Sequence, residues 1–270
     1  MRMNDADRIH SRVGTLMVAT PPFPDSEVDV VRTEPAKTSA TDERDPMSAQ
    51  DWQGLATDFD GTVATDGVID EPTIEALRAF RKEGGKLILV TGRELDDFSR
   101  IKTPIELFDF VVAENGAVLF NPATGHERIL AHPPDEKFVE ELHRRGVTPI
   151  SLGRVIIATW VPHEHTVLQV IKDLGVGYNV IFNKGAVMLL PVGIDKSVGL
   201  KAALAEMNLE PQTVIGVGDA ENDHAFLQMC GLSVAVSNAI PALKKASDFV
   251  TSADRGRGVT ELLQRIRRST

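Results

Sequence analysis

Two aspartates, Asp58 and Asp60, stand where a short apolar run at residues 55–57 is followed by a glycine, Gly61. Ligands of open α/β sheets bind at the carboxyl ends of strands, and a glycine there allows the chain to turn, so both carboxylates can face one point. A carboxylate is ionised at neutral pH and can attack phosphorus without a base to deprotonate it. The pair therefore predicts phosphoryl chemistry, which requires a cation to reduce the repulsion between carboxylate and phosphate.

Two further aspartates follow a second apolar run at residues 214–217. Asp219 lies at the end of that run and Asp223 comes four residues later, one helical turn on, so both can face the same ion. Mg²⁺ takes oxygen ligands and bridges a carboxylate to a phosphate oxygen. The sequence therefore predicts that the two pairs of aspartates share a Mg²⁺ ion.

A hydroxyl, a glycine and two cationic side chains complete a predicted phosphate site. Thr91, Gly92 and Arg93 follow the apolar run at residues 87–90, and Lys196 opens a predicted helix. Hydroxyl and backbone N–H groups at a strand-to-helix turn bind anions, and a lysine adds a point charge. Each group alone is equally well explained as part of a turn, a loop or a helix cap. Their joint placement at strand ends favours a phosphate site.

These segments resemble the four sequence motifs of the haloacid dehalogenase superfamily. The resemblance spans about residues 54–251 and rests on Asp58-Phe59-Asp60-Gly61-Thr62, Thr91-Gly92-Arg93, Lys196 and Gly218-Asp219-Ala220-Glu221-Asn222-Asp223. The segment Glu114-Asn115-Gly116-Ala117 and an insertion between the second and third motifs are similar to the branch with a type IIB cap. That branch includes sugar-phosphate, sucrose-phosphate and archaeal phosphoglycolate phosphatases, and phosphomannomutase.

The resemblance implies a role for each of these side chains. Asp58 is implied to be the nucleophile, and Asp60 the general acid and then the general base. The implied Mg²⁺ ligands are Asp58, the backbone carbonyl of Asp60 and Asp219, with Asp223 supporting or ligating directly. The implied phosphate- and substrate-binding residues are Thr91, Gly92, Arg93, Lys196 and Asn222.

The carboxylate at position 60 distinguishes between two reaction classes of the superfamily, dehalogenation and phosphoryl transfer. Dehalogenases of the superfamily lack a carboxylate at this position, whereas phosphoryl-transfer members use it to protonate the leaving alcohol. Ser197 departs from the family pattern, since many relatives have glycine there, but the charge of Lys196 is unaffected. We therefore expect a Mg²⁺-dependent phosphatase that acts on a small phosphomonoester, such as a sugar phosphate or phosphoglycolate. Two alternatives stay open: a phosphomutase of the same fold, and a non-catalytic phospholigand-binding module.

The order of elements predicts an α/β protein in two parts. Strand and helix patterns alternate over residues 51–119 and 192–270, which is typical of a doubly wound, Rossmann-like parallel sheet. Residues 120–191 repeat helix-strand-strand twice and are predicted to form an α+β cap. We expect the cap to close over the site, because an aspartyl-phosphate must be attacked by one positioned water.

The remaining features concern location and partners. Residues 1–50 are rich in proline and charge without apolar periodicity, so we predict a disordered extension. The net charge of −10 disfavours nucleic-acid or acidic-membrane binding, and a single cysteine, Cys230, excludes an internal disulfide. No apolar run approaches the ~18 residues of a membrane span, and we expect a cytoplasmic protein whose oligomeric state stays open. Candidate specificity residues near cap strand ends are Asn183, Lys184 and Arg154.

Overall fold

The structure, a computed structural model, describes residues 52–101, 103–183 and 185–269. The predicted disordered extension at residues 1–50 lies outside the described residues. In chain order the strands are β1 (Gly54–Asp58), β2 (Lys86–Val90), β3 (Phe110–Ala113), β4 (Val118–Asn121), β5 (His126–Ile129), β6 (Ser151–Leu152), β7 (Ile157–Trp160), β8 (Tyr178–Asn183), β9 (Ala186–Pro191), β10 (Val214–Gly218), β11 (Leu232–Ala235) and β12 (Phe249–Val250). The α-helices are α1 (Glu71–Lys82), α2 (Glu136–Arg144), α3 (Glu164–Leu174), α4 (Lys196–Met207), α5 (His224–Met229), α6 (Pro241–Ala246) and α7 (Arg255–Ser269).

The large sheet has the strand order β12-β11-β10-β1-β2-β3-β4-β5. The strands from β12 to β3 are parallel, and β4 and β5 continue the sheet antiparallel. Strand β1 is buried along its whole length between β2 and β10, as expected of a strand covered on both faces. The carboxyl ends of these three neighbours form the crevice in which α/β sheets bind ligands. The predicted α/β fold with a Rossmann-like core is confirmed.

The large sheet continues past the predicted cap boundary at residue 120. Strand β4 pairs with β3 and strand β5 pairs with β4, so residues 118–129 extend the large sheet. In the turn that joins them, the Asn121 side-chain oxygen accepts the N–H groups of Ala123 and Thr124. Every residue of β5 is exposed, so this edge strand has no apolar periodicity that would mark it. The division into a core and a cap stays a prediction.

The small sheet lies within the cap and has the order β6-β7-β9-β8, with every pair antiparallel. The elements repeat helix-strand-strand, as predicted: α2-β6-β7 and then α3-β8-β9. One core, which includes Phe138, Leu142 and Val167, joins this sheet to its two helices. Ile156 and Met188 belong instead to the core of the large sheet. Apolar contacts therefore hold the cap against the large sheet.

Two further features concern the thiol of Cys230 and the length of the helices. The Cys230 thiol donates to the carbonyl of Phe226 in α5 at 3.2 Å. Burial raises the pKa of the thiol to about 12, so Cys230 is neutral at physiological pH and is not a reactive thiolate. No helix among the described residues is long and apolar enough to cross a membrane.

Candidate active site

The aspartates at the ends of β1 and β10 meet. Parallel pairing places Thr57 beside Val217, so the residues that follow leave both strands at the same edge of the sheet. Carboxylate oxygens of Asp58, Asp219 and Asp223 lie within 4.8 Å of one another, and each residue is at most 7% exposed. The structure therefore brings together three of the carboxylates that were predicted to hold the metal.

Lys196 lies between two of these aspartates. Its ammonium donates to Asp58 Oδ1 at 2.5 Å and to Asp223 Oδ1 at 2.6 Å. The side chain of Asp195 caps α4 by accepting both the N–H and the hydroxyl of Ser197, which fixes Lys196 as the first residue of the helix. Burial alone lowers the pKa of Lys196, but Asp223 and Asp58 raise it above its usual range. Lys196 is therefore an ammonium at neutral pH.

Asp223 also holds the loop that carries Asp219. Its Oδ2 accepts the N–H groups of Asp219 and Ala220, each at 2.9 Å. This close approach requires Gly218, because a Cβ there would lie 2.7 Å from the Asp223 carboxylate. The buried hydroxyl of Thr62 donates to Asp219 Oδ1 at 2.9 Å. Asp219 is thus oriented from two loops, and Thr62 is a site residue for which no separate role was predicted.

Asp60 is not part of this cluster and pairs with Arg93. Arg93 Nε donates to Asp60 Oδ2 at 2.6 Å, and Nη2 donates to Asp60 Oδ1 at 2.8 Å. The guanidinium carbon also lies 5.4 Å from the centroid of the Phe59 ring, where the cation contacts the aromatic face. Arg93 is therefore directed to the predicted general acid, whereas the resemblance implied that it reaches the substrate.

Asn115 lies between two predicted phosphate-binding residues. Asn222 Nδ2 donates to Asn115 Oδ1 at 2.8 Å, and a Cβ on Gly92 would lie 3.0 Å from the Asn115 side chain. In the same turn, the buried Thr91 hydroxyl accepts the N–H of Arg93 at 3.1 Å. Asn115 had no predicted role, although the Glu-Asn-Gly-Ala segment that contains it was a signal in the sequence. The turn after β2 and the loop after β10 are therefore connected through Asn115.

The charges of the cluster require a cation. Burial, with a smaller contribution from the negative charges of Asp223 and Asp219, raises the pKa of Asp58 to about 8 despite the attraction of Lys196. Asp58 must be ionised to act as a nucleophile, so at neutral pH the site needs more positive charge than Lys196 supplies. Carboxylate oxygens are the ligands that hard divalent ions prefer, and such an ion lowers the pKa of the groups it binds. The three buried carboxylates therefore fit a divalent metal ion.

A cavity of about 800 Å³ lies between these residues and the cap. Its wall includes Asp58, Asp60, Arg93, Lys196 and Asn222 from the large-sheet side, and Ser151, Ile156, Ala158, Trp160, Ala186 and Met188 from the cap. The cap side is therefore mostly apolar. Arg154 is not in this wall, because its guanidinium pairs with Asp96 and Glu127. Of the other candidate specificity residues, Lys184 and the side chain of Asn183 lie outside the described structure.

Similar proteins identify the family. The chain matches the haloacid dehalogenase-like hydrolases over residues 55–146 and 155–263. It is 31% identical over 224 residues to the phosphoglycolate phosphatase of Methanothermobacter thermautotrophicus, a match that covers 79% of this chain and 98% of the relative. Phosphoglycolate phosphatase 2 of Saccharolobus solfataricus is 29% identical over 219 residues, which covers 78% of this chain and 91% of the relative. The chain therefore belongs to the haloacid dehalogenase-like hydrolases.

Solved structures share the fold, including the cap. A haloacid dehalogenase subclass IIB sugar phosphatase superposes with a TM-score of 0.66 at 18% identity, over 80% of this chain and 99% of that one. The phosphatase BT1666 of Bacteroides thetaiotaomicron gives a TM-score of 0.67 at 20% identity, over 84% and 99% of the two chains. The cap of this chain is accordingly of type IIB.

Proposed function

We propose that this chain is a Mg²⁺-dependent phosphatase that hydrolyses a small phosphomonoester through an aspartyl-phosphate on Asp58. The observation that carries the proposal is the contact between Asp58 and the Lys196 ammonium, 2.5 Å apart, within a cluster of buried carboxylates. A nucleophile, a phosphate-binding cation and metal ligands thus share one edge of the sheet. The relatives named phosphoglycolate phosphatase support the same reaction class and make phosphoglycolate the first substrate to test.

The reaction proceeds in two halves. In the first, a carboxylate oxygen of Asp58 attacks phosphorus, the bond from phosphorus to the leaving oxygen breaks, and Asp60 gives that oxygen a proton. In the second, Asp60 takes a proton from water, whose oxygen attacks phosphorus and releases inorganic phosphate and free Asp58. Arg93 orients the ionised form of Asp60, which takes the proton from water in the second half, because its guanidinium donates to both carboxylate oxygens. In the first half one of these oxygens carries the proton, and the other accepts from Arg93.

The substrate phosphate and the metal have separate ligands. Lys196, Asn222 and the turn at residues 91–92 bind the phosphate oxygens, with Asn115 holding Asn222 in place. Asp58, Asp219 and the backbone carbonyl of Asp60 would hold Mg²⁺, which would supply positive charge to the phosphate. Asp223 would support this metal site or ligate the ion directly. Its Oδ1 accepts a hydrogen bond from Lys196, and its Oδ2 accepts from two backbone N–H groups.

A substrate panel tests this proposal. The full chain with Mg²⁺ should release inorganic phosphate from phosphoglycolate or from one sugar phosphate much faster than from nucleotides. Asp58→Asn should lower kcat by more than ~100-fold with an unchanged melting temperature, since a nucleophile contributes several kcal/mol to catalysis. Asp66→Asn is a matched control, because Asp66 is an exposed residue of the same cavity wall. It should keep most of the activity.

Three outcomes would contradict the proposal. No release of phosphate from any monoester, with ligand binding retained, would indicate a non-catalytic phospholigand-binding module. Transfer of phosphate to a second sugar without release to water would indicate a phosphomutase. Undiminished turnover in Asp58→Asn would remove Asp58 as the nucleophile.

A further inference from the structure

Glu114 is a buried carboxylate for which the proposed chemistry has no use. The side chain is 0% exposed and lies just beyond β3, in the large-sheet part of the molecule. Its Oε1 accepts the N–H of Arg154 at 2.9 Å, and its Oε2 accepts the N–H groups of Val155 at 2.8 Å and Ile156 at 2.9 Å. All three donors are backbone groups of the cap. One carboxylate therefore binds three successive residues of the loop at residues 153–156.

The loop is shaped to receive this carboxylate. Gly153 N–H donates to the carbonyl of Ile156 at 2.9 Å, which closes the loop on itself. A Cβ on Gly153 would lie 2.5 Å from Glu114 Oε1, so only glycine permits the approach. The loop leads directly into β7, and both Ile156 and Ala158 line the cavity. A shift of the loop would therefore shift the cap wall of the cavity.

The backbone of the same segment binds the turn after β2. Glu114 N–H donates to the carbonyl of Arg93, and Asn115 N–H donates to the carbonyl of Thr91, each at 2.9 Å. Both Glu114 and Asn115 have φ of 51°, in the left-handed region that costs a non-glycine residue energy. Two adjacent residues in this conformation need surrounding contacts to hold them. The Glu114 side chain contacts the cap loop at residues 153–156, and its backbone N–H contacts Arg93, which orients Asp60.

We propose that Glu114 is a positioning residue that anchors the cap and aligns it with Asp60. Its carboxylate fixes the loop at residues 153–156, and its backbone N–H fixes Arg93, so one residue sets the distance between the cap wall and the general acid. The negative charge is needed, because a carboxylate offers only acceptors to three N–H groups, whereas an amide would point its own donors at some of them. This proposal rests on the proposed phosphatase activity for its kinetic consequences, but not for the structural ones.

Hydrogen exchange tests the anchor without any substrate. In Glu114→Gln, the backbone amides of residues 154–156 should exchange at least about tenfold faster than in the unaltered protein, since each loses a charge-assisted hydrogen bond. Peptides from β1 and β10 should exchange at the same rate in both proteins. Unchanged exchange at residues 154–156 would overturn the proposal, whether or not the protein is a phosphatase.

Kinetics with two leaving groups test the alignment. p-Nitrophenyl phosphate has a leaving group that departs without protonation, so it depends little on Asp60. Glu114→Gln should lower kcat/KM for the best metabolite about 10- to 100-fold and that for p-nitrophenyl phosphate by less than about threefold. A merely structural role would lower both values together, through a smaller folded fraction. An equal loss on both substrates would therefore overturn the proposal.

A change on the cap side provides an independent variant. Gly153→Ala places a methyl group against the Glu114 carboxylate and should reproduce both the faster exchange and the altered substrate ratio. It also decides the question if Glu114→Gln fails to fold. Glu127→Gln is the matched control, because it removes a partly exposed carboxylate that pairs with the Arg154 side chain in the same loop. The ratio of kcat/KM for the metabolite to kcat/KM for p-nitrophenyl phosphate should fall in Gly153→Ala and stay unchanged in Glu127→Gln. A lower ratio in Glu127→Gln, or an unchanged ratio in Gly153→Ala, would contradict the assignment to Glu114.

Discussion

Arg93 holds both carboxylate oxygens of Asp60, with Nε 2.6 Å from Oδ2 and Nη2 2.8 Å from Oδ1. The planar fork of a guanidinium fixes the orientation of a carboxylate, whereas a lysine ammonium holds it at one point. Arg93→Lys should therefore lower kcat for phosphoglycolate about 10- to 100-fold, because a general acid that is poorly aligned loses much of its contribution. KM should change little, since the groups proposed to bind the phosphate remain. Steady-state kinetics at saturating Mg²⁺ measure both values.

Arg100→Lys is the control for this change. Arg100 lines the same cavity but only forms an exposed pair with Asp97, at 3.7 Å. Its replacement should leave kcat within about twofold, since exposed pairs contribute little. A raised KM with unchanged kcat in Arg93→Lys would contradict the orienting role and favour the substrate contact that the family resemblance implied.

Asp219→Asn should separate the metal requirement from folding. Metal-free protein carries three buried carboxylates close together, so removal of one charge should leave the melting temperature equal or higher. With one charged ligand fewer, the Mg²⁺ concentration for half-maximal activity should rise at least about tenfold. Thermal unfolding measured against Mg²⁺ concentration gives the same affinity without an activity assay, because binding to the folded state alone stabilises it. Excess chelator should abolish turnover by the unaltered enzyme.

The comparison for Asp219→Asn is Asp97→Asn, a carboxylate in the cavity wall but outside the cluster. It should leave both the melting temperature and the Mg²⁺ dependence almost unchanged. Full activity of the unaltered enzyme in excess chelator would refute the metal site. An unchanged Mg²⁺ requirement in Asp219→Asn would refute Asp219 as a ligand.

Two glycines with positive φ should respond differently to alanine. Gly116 has φ of 101°, and a Cβ there would lie 1.8 Å from the carbonyl oxygen of Asp195, next to Lys196. Gly125 has φ of 71° in the β4–β5 turn, and no atom of the described residues lies within 4 Å of a Cβ built there. Gly125→Ala should cost about 1 kcal/mol of unfolding free energy from backbone strain, whereas Gly116→Ala should cost ~3 kcal/mol or more because overpacking is added. Denaturant unfolding measures both values, and equal losses would show that the contact with Asp195 is relieved at no cost.

The site acids were predictable because they depend on strand order. Asp58 and Asp219 each end an apolar strand, and parallel neighbours present their carboxyl ends at one edge. The partners of Arg93 and Glu114 were not predictable in the same way. Arg93 contacts a residue 33 positions away, and the Glu114 carboxylate contacts backbone groups 40 to 42 positions away. Apolar periodicity identifies helices and strands but does not say which distant residues a side chain contacts. The backbone N–H groups that Glu114 binds are present at almost every residue, so nothing in the sequence marks them as its partners.

The edge strand β5 is a second feature that the sequence did not predict. The predicted boundary at residue 120 places β5 in the cap, and polar residues such as Glu127 and Arg128 leave this strand without an apolar pattern. An edge strand can be exposed throughout, since backbone hydrogen bonds to one neighbour are enough to hold it in the sheet. Where burial is absent, the periodicity that identifies a strand is absent too.

The cap should restrict the enzyme to small, soluble phosphomonoesters. An aspartyl-phosphate must be attacked by one positioned water, and a site open to bulk solvent would lose that orientation and the strength of its electrostatics. The cavity of about 800 Å³ beneath the cap accommodates a sugar phosphate or phosphoglycolate but not a folded phosphoprotein. We expect kcat/KM for the best metabolite to exceed that for a phosphoprotein by orders of magnitude. Comparable rates on both substrates would show that the cap does not limit access.

Two changes to the cap should each alter the selection of substrate. A Gly/Ser linker in place of residues 132–191 should remove the preference for metabolites and slow turnover, while the hairpin of β4 and β5 stays in the large sheet. Ala158→Phe narrows the cavity from the cap wall and should lower kcat/KM for a hexose phosphate far more than for phosphoglycolate, because the larger leaving group meets the added ring. Circular dichroism and thermal unfolding establish that each variant is folded. Unchanged selectivity in both folded variants would place the selection of substrate in the large-sheet residues alone.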